Sequence, residues 1–159
     1  MHQRMQVSAG LLMFRKTGHN LELFLVHPGG PFWAKKDAGA WSIPKGLVDQ
    51  NEDKVAAAQR EFTEETSLVA SGPFIDLGMV CLKSGKLVHA WAFEGDCDSS
   101  KIRSNTFKIE WPPRSKQMKE FPEIDQARFF SVTEARQRIN QSQVPFIDRL
   151  VQIVTAENS

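Results

Sequence analysis

Short apolar runs alternate along the chain with segments whose apolar residues recur every three to four positions. The runs predict β-strands, because glycine, proline and asparagine stand between them and favour turns. The segments with helical spacing predict amphipathic helices. This order indicates an α/β protein with a mixed sheet. The predicted strands are 5–14, 21–27, 74–82, 87–93 and 105–111, the predicted helices are 52–66, 131–139 and 144–154, and loops are expected at 28–40 and 95–104.

The most informative polar pattern lies on the predicted helix 52–66. Glu61, Glu64 and Glu65 are spaced i, i+3 and i+4, so they share one stripe of the helix and repel one another. A hard divalent cation would remove this repulsion, and Mg²⁺ is typically held by carboxylates together with substrate phosphates. Any one of these glutamates alone fits an ordinary solvated helix. The whole spaced set indicates phosphate chemistry.

Two further charged residues belong to this pattern. Glu52 lies near the helix start, where the helix dipole favours a negative side chain. Arg60 carries a planar fork of donors that can bridge carboxylates and fix their orientation. We therefore expect Glu52 to support the residues of the site without contacting metal or substrate itself, and Arg60 to orient Glu61.

The run 46–68 resembles the Nudix box, Gly-x5-Glu-x7-Arg-Glu-U-x-Glu-Glu-x-Gly-U, where U is a bulky apolar residue. One position departs, because Ser67 stands where the family has its last glycine. The resemblance implies an α/β/α sandwich with a mixed sheet between helices. The sequence WSIPKG at 41–46 resembles the dinucleoside polyphosphate branch of the family more than the triphosphate-cleaning branch. Residues 123–130 resemble the family's late strand, which is often preceded by a loop glutamate. The matching residues are Gly46, Glu52, Arg60, Glu61, Phe62, Glu64, Glu65 and Leu68.

The resemblance also implies a metal-dependent hydrolysis of a diphosphate bridge. Mg²⁺, for which Mn²⁺ can substitute, would be held by Glu61, Glu64 and Glu65, with the Gly46 carbonyl as a further ligand. It would lower the pKa of a bound water and so supply the nucleophile.

The general base and the substrate contacts stay open at this point. Glu64 and Glu123 are both candidates for the base, with Glu120 as a third. Lys45 stands next to the box and is expected to meet a phosphate. The loop residues Phe32 and Trp33 could stack on a base, and Lys35 and Lys36 could meet phosphates; alternatively this is a surface loop with solvated lysines, in which His27 is structural.

Composition narrows the class of protein. The chain has 159 residues, which suits one domain over 1–159, with 41% hydrophobic and 25% charged residues. A net charge of +1 gives no global attraction to nucleic acid or membrane, so phosphate affinity must be local. Cys81 and Cys97 are too few for a disulfide framework. With neither signal peptide nor membrane span, we expect a cytoplasmic monomer or homodimer.

The sequence indicates the substrate less directly than it indicates the type of reaction. The chain has no tyrosine, although the polyphosphate branch uses one to stack on a base; Trp33, Trp91 or Phe93 could replace it. Dinucleoside or nucleoside polyphosphates rank first, ADP-ribose or a nucleotide sugar second. A non-catalytic sensor is disfavoured because all four box glutamates are present. An RNA 5′-end substrate would need a basic track. The residues that could form one, or alternatively an ordinary solvated face, are Lys101, Arg103, Lys108, Arg114, Lys116 and Lys119.

Overall fold

The computed structural model describes residues 6–157 of the chain. This part contains eight strands, three helices and two single-turn 3-10 helices at Ser99–Lys101 and Gln141–Gln143. The helices are α1 (Lys54–Thr66), α2 (Val132–Arg138) and α3 (Val144–Glu157). The strands are β1 (Val7–Thr17), β2 (Asn20–Pro28), β3 (Lys45–Leu47), β4 (Ile75–Cys81), β5 (Leu87–Glu94), β6 (Thr106–Glu110), β7 (Met118–Pro122) and β8 (Ile124–Ser131).

Six strands form one mixed sheet in the order β4-β5-β1-β2-β8, with β3 paired to β1. The β1–β5 pair is parallel, and the other pairs of this sheet are antiparallel. Strand β1 changes neighbours along its length, because residues 14–17 pair with β2 whereas residues 8–10 pair with β3. The short strand β3, which leads into α1, therefore joins the sheet where β1 and β2 have separated.

The two faces of the sheet carry separate cores, as the alternation of side chains along a strand requires. Leu11 and Met13 pack with Phe62 of α1 on one face. Leu12 packs with Phe146 of α3 on the other face. Helices thus cover both faces, and the expected α/β/α sandwich is confirmed.

The structure differs from the predicted elements in the β6–β7 hairpin, in β3 and at the ends of the first strand and the last helix. The predicted strand 105–111 is β6, which pairs only with β7 in a separate two-stranded hairpin. Neither β7 nor β3 was predicted, because β7 has a single partly buried residue, Phe121, and β3 is three residues long with a central glycine. The predicted start of the first strand at Met5 lies outside the described residues. The long N-terminal strand continues to Thr17 and the last helix to Glu157.

The ends of α1 are fixed by local hydrogen bonds. The Asp53 side chain caps the helix by accepting from the Ala56 N–H at 3.2 Å, so α1 begins at Lys54, two residues after the predicted start at Glu52. At the other end Ser67 adopts the left-handed conformation, with φ 65°, and its N–H donates to the Thr63 carbonyl at 2.7 Å. The serine therefore performs the turn that a glycine makes in the family pattern. No helix within residues 6–157 is long and apolar enough to cross a membrane.

Candidate active site

Strand β3 and helix α1 approach each other closely at Gly46. A Cβ atom added to Gly46 would lie 2.0 Å from Cδ of Glu61, so the Glu61 carboxyl group packs directly on the glycine backbone. Gly10 makes a second close approach possible, because a Cβ there would lie 2.6 Å from the Pro44 carbonyl oxygen. Two glycines thus allow β3 to sit between β1 and the acidic edge of α1.

Arg60 binds several of the box carboxylates at once. Its Nε and Nη2 donate to the two oxygens of Glu52 at 2.9 and 3.0 Å, and Nη1 donates to Oε1 of Glu61 at 2.9 Å. Nη1 also makes longer contacts of 3.3 and 3.4 Å to Glu64, and Nη2 donates to the Leu47 carbonyl at 3.1 Å. The expectation that Arg60 contacts and orients Glu61 agrees with this geometry.

The paired hydrogen bonds between Arg60 and Glu52 also explain their protonation. They lower the pKa of Glu52 to about 2, assisted by the Asp49 N–H, which donates to Oε1 of Glu52 at 3.0 Å. The same bonds raise the pKa of Arg60. Glu52 is therefore an ionised anchor for the guanidinium group.

Glu65 is the most strongly perturbed carboxyl group of the site. Its pKa is raised to about 8, chiefly by burial and also by the charges of Glu61 and Glu123, against the lowering effects of a hydrogen bond from the Lys45 backbone and of the Lys45 charge. Its Oε2 atom is buried and has no hydrogen-bond partner. Burial also raises the pKa of Glu61, opposed by its hydrogen bond with Arg60. An unpaired buried carboxyl oxygen is costly, and a bound cation would stabilise it.

Glu123 reaches the same cluster from the loop between β7 and β8. The pKa of Glu123 is raised, mainly by burial and to a smaller extent by the charge of Glu64. Its own charge in turn acts on Glu61 and Glu65. Glu123 is therefore close enough to the helix stripe for its charge to interact with those of Glu61, Glu64 and Glu65.

Glu120, the third candidate for the base, lies on the β6–β7 hairpin. Its Oε1 accepts a hydrogen bond from the Thr106 hydroxyl at 2.7 Å, and its side chain is exposed. Glu120 thus has a local partner within the hairpin, whereas Glu123 interacts with the box.

The donor chemistry of the site fits a hard divalent cation. All candidate ligands are oxygens, the unpaired Oε2 of Glu65 is available, and the side chain of Glu64 is 40% exposed and only loosely held by Arg60. Across residues 6–157, however, no three Asp, Glu, His or Cys side chains already converge as a preformed metal site. The cluster offers negative charge and oxygen donors, and Nη1 of Arg60 donates to both Glu61 and Glu64.

Lys45 contacts the site through its backbone, which donates a hydrogen bond to Glu65. In the β1–β3 pair Lys45 stands opposite Gly10, and a Cβ on Gly10 would lie 2.8 Å from the Lys45 Cβ. The Lys45 side chain is partly buried and lies close enough to Glu65 and Glu61 for their charges to act on it. Burial lowers the pKa of Lys45, and the charge of Glu65 partly compensates. Its contact with a phosphate stays a prediction.

The loop before β3 is fixed to the sheet by the buried side chain of His27. His27 is buried between Asp125, at 2.7 Å from its Nδ1, and the Lys36 carbonyl, at 2.6 Å from its Nε2, which agrees with the structural role expected for it. Lys36 lies over the ring of Trp33, with Nζ 5.0 Å from the centroid, and Lys35 is exposed. These described contacts stay within the loop and its support, so they do not join the box carboxylates.

The same loop also contacts the hairpin. Phe32 meets Trp111 edge to face, with ring centroids 5.4 Å apart. A Cβ on Gly30 would lie 2.8 Å from the Phe107 ring, so the loop passes directly over the hairpin. The role of Trp33, Lys35 and Lys36 in substrate binding stays a prediction.

Comparisons with known proteins identify the family of this chain. The Nudix domain family model matches residues 4–150. The chain therefore belongs to the Nudix family, as a hydrolase of phosphoric anhydride bonds. No curated protein matches the sequence.

Solved structures with the same fold come from diverse organisms. A Caenorhabditis elegans Ap4A hydrolase in a binary complex has a TM-score of 0.67 and 18% identity, covering 94% of this chain and 98% of its own. The Nudix domain of Shewanella oneidensis NrtR with ADP ribose has a TM-score of 0.67 and 12% identity, covering 96% and 90%. A MutT protein from Methanosarcina mazei Go1 has a TM-score of 0.62 and 18% identity, covering 96% of each chain. At these identities the likeness shows the fold.

Proposed function

We propose that this chain hydrolyses a diphosphate bridge in a dinucleoside or nucleoside polyphosphate, with water as the nucleophile and Mg²⁺ at the box carboxylates. The observation that carries the proposal is the unpaired, buried Oε2 of Glu65 within a group of mutually repelling carboxylates. Such a group is stabilised by a cation, and a phosphate chain is the ligand that a carboxylate-bound Mg²⁺ typically recruits.

The proposed metal ligands are Glu61, Glu64, Glu65 and the carbonyl of Gly46. Bound there, Mg²⁺ or Mn²⁺ would neutralise phosphate oxygens and lower the pKa of water. Arg60 holds Glu61 in the orientation that the close packing on Gly46 requires.

Glu123 and Glu64 are the two proposed general bases. The base accepts a proton from water while the water oxygen bonds to phosphorus, and the bridging P–O bond breaks with its electron pair left on the departing phosphate. Glu64 already accepts contacts from Arg60 and is a proposed metal ligand. Glu123 has no contact with Arg60 among the described hydrogen bonds and is not a proposed metal ligand, which favours Glu123 as the general base.

ADP-ribose or a nucleotide sugar is the second candidate substrate. The fold is as similar to a Nudix domain bound to ADP ribose as to an Ap4A hydrolase, with a TM-score of 0.67 for each. Both substrates contain a diphosphate bridge, so the carboxylate cluster suits either. The difference between them lies in what surrounds the bridge, where the loop with Trp33 and the β6–β7 hairpin meet.

A substrate panel tests the proposal. The protein is incubated with Mg²⁺ and diadenosine tetraphosphate, ADP-ribose, a nucleotide sugar or nucleoside triphosphates, and products are separated by anion exchange. We expect turnover that disappears with chelator and in Glu64→Gln, but persists in Glu94→Gln, which makes the same change on an exposed glutamate at the end of β5. Turnover that is equal in all three proteins would refute the assigned site. No turnover of any member would refute the substrate class and direct the search to an RNA 5′ end or a sensor.

A further inference from the structure

The backbone of Glu123 is held by hydrogen bonds on both of its sides. The Glu123 N–H donates to the Asn105 carbonyl at 2.8 Å, and the Gly29 N–H donates to the Glu123 carbonyl at 2.8 Å. The residue therefore lies between two chain segments, one preceding β6 and one following β2. Its position against the box depends on where these segments lie.

The segment before β6 is tied in turn to the last turn of α1. The Asn105 N–H donates to the Glu64 carbonyl at 3.0 Å. Two residues earlier, the Arg103 carbonyl accepts a short hydrogen bond of 2.5 Å from the Ser67 hydroxyl. A continuous series of hydrogen bonds thus connects the C-terminal end of α1 with Glu123.

Ser67 is the one box position at which this chain departs from the family pattern. A glycine would adopt the observed φ of 65° without strain, so the serine is not needed for the turn itself. What serine adds is the hydroxyl group, and that group is used to hold residue 103.

We propose that Ser67 is a positioning residue of the hydrolysis reaction. Its hydroxyl holds the segment 103–105 across the end of α1 and thereby holds Glu123 beside Glu64. The inference rests on the proposed function, because it requires Glu123 to act in the site. Ser67 itself touches neither substrate nor metal in this scheme.

Gly29 limits the position of Glu123 from the opposite side. A Cβ added to Gly29 would lie 2.0 Å from the Pro122 carbonyl oxygen, which is backbone and cannot rotate away. Gly29→Ala should therefore push the chain at residues 122–123 toward the Asn105 side. It offers a second perturbation of Glu123 that leaves Ser67 intact.

Two substitutions separate the hydroxyl from the backbone turn. Ser67→Gly and Ser67→Ala both remove the hydroxyl, but glycine relieves the left-handed conformation whereas alanine retains its strain. We expect kcat to fall by the same factor in both, roughly tenfold, with KM changed less than about twofold, because a misplaced catalytic group slows chemistry without weakening binding. Ser67→Gly is expected to be at least as heat-stable as the wild type.

Amide hydrogen exchange provides a readout that does not depend on activity. Both variants should expose the amides of Asn105 and Glu123 to exchange roughly 3- to 10-fold faster, as expected for weakened hydrogen bonds. The amide of Trp111, which donates to the Gln117 carbonyl within the hairpin, serves as the internal control and should not change. Unchanged exchange at Asn105 and Glu123 would overturn the proposal whatever the substrate.

Kinetics on diadenosine tetraphosphate with Mg²⁺, or on ADP-ribose where that is what the wild type turns over, complete the test. In a Glu123→Gln background, Ser67→Ala should cause no further loss, because both changes act through one group. The positioning role would be overturned if Ser67→Ala lowered kcat in the Glu123→Gln background as much as it does alone. It would also be overturned if kcat of Ser67→Gly and Ser67→Ala differed in line with their thermal stabilities. If Glu123→Gln alone leaves kcat unchanged, the assignment of Glu123 under the proposed function fails instead.

Discussion

The perturbed carboxyl group of Glu65 predicts how stability depends on pH in the absence of a divalent cation. Its pKa is raised from 4.5 to about 8 in the folded protein. Below pH 4.5 both states hold the proton, so the group makes no difference. Between pH 4.5 and 8 the unfolded state releases the proton while the folded state retains it, so the free energy of unfolding falls as pH rises.

The magnitude follows from the size of the shift. One pKa unit corresponds to about 1.4 kcal/mol, so at pH 7 the cost of keeping Glu65 protonated is at most about 3 kcal/mol. For a domain of this size that is a substantial part of the total stability, which is typically 5–15 kcal/mol. Mg²⁺ should remove the cost, because the ionised carboxylate would then have a partner.

Urea denaturation in EDTA at several pH values between 5 and 8 measures this effect. We expect the free energy of unfolding of the wild type to fall across this range, and Glu65→Gln, which is neutral and of the same shape, to remove most of the fall. Glu64→Gln is the matched control, since it makes the same change one residue away on a side chain that is 40% exposed. Equal slopes for the wild type and Glu65→Gln would refute the reasoning.

Three other substitutions test the scaffold of the site. Arg60→Lys keeps the charge but loses the fork shared by Glu52 and Glu61, so kcat/KM should fall roughly 10- to 100-fold in steady-state assays; an unchanged value would contradict this. Gly46→Ala should weaken Mg²⁺ binding in calorimetry by displacing Glu61, and unaltered affinity would argue against the close packing. Phe62→Ala should cost about 3–5 kcal/mol in urea denaturation, because this side chain is fully buried; a loss below 1 kcal/mol would contradict its place in the core.

Local patterns were sufficient for most elements that pack on a core, whereas β8 was anticipated only through the family resemblance. The sheet strands and α1 present apolar residues at a fixed period, since each must bury one face or both. The β6–β7 hairpin lacks this constraint, because its side chains are mostly exposed, and β7 was missed for that reason. Strand β3 is specified by its pairing with β1 and by Gly10, both of which are tertiary features.

The site divides in the same way. The shared stripe of Glu61, Glu64 and Glu65 follows from helix geometry alone, and the arginine contact follows from sequence proximity. The approach of Glu123, 59 residues after Glu64, is a matter of chain path and was anticipated only through the family resemblance. The hydrogen bond from the Ser67 hydroxyl to the Arg103 carbonyl could not be predicted. In the sequence, Ser67 is only a mismatch to the glycine of the family pattern, and its partner is 36 residues away.

One helix combines the apolar and acidic parts of this arrangement. Phe62 packs edge to face on Phe93 and also contacts Phe24, so α1 is fixed to the sheet by a large aromatic core. The neighbouring Glu61 and Glu65 are thereby held in partly buried positions that repulsion alone would not permit. A rigid core on one side of the helix is what allows an unfavourable charge cluster on the other. The loop over the hairpin shares little of that core, so substitutions there should alter substrate preference with little loss of stability, whereas substitutions at Phe62 should do the reverse.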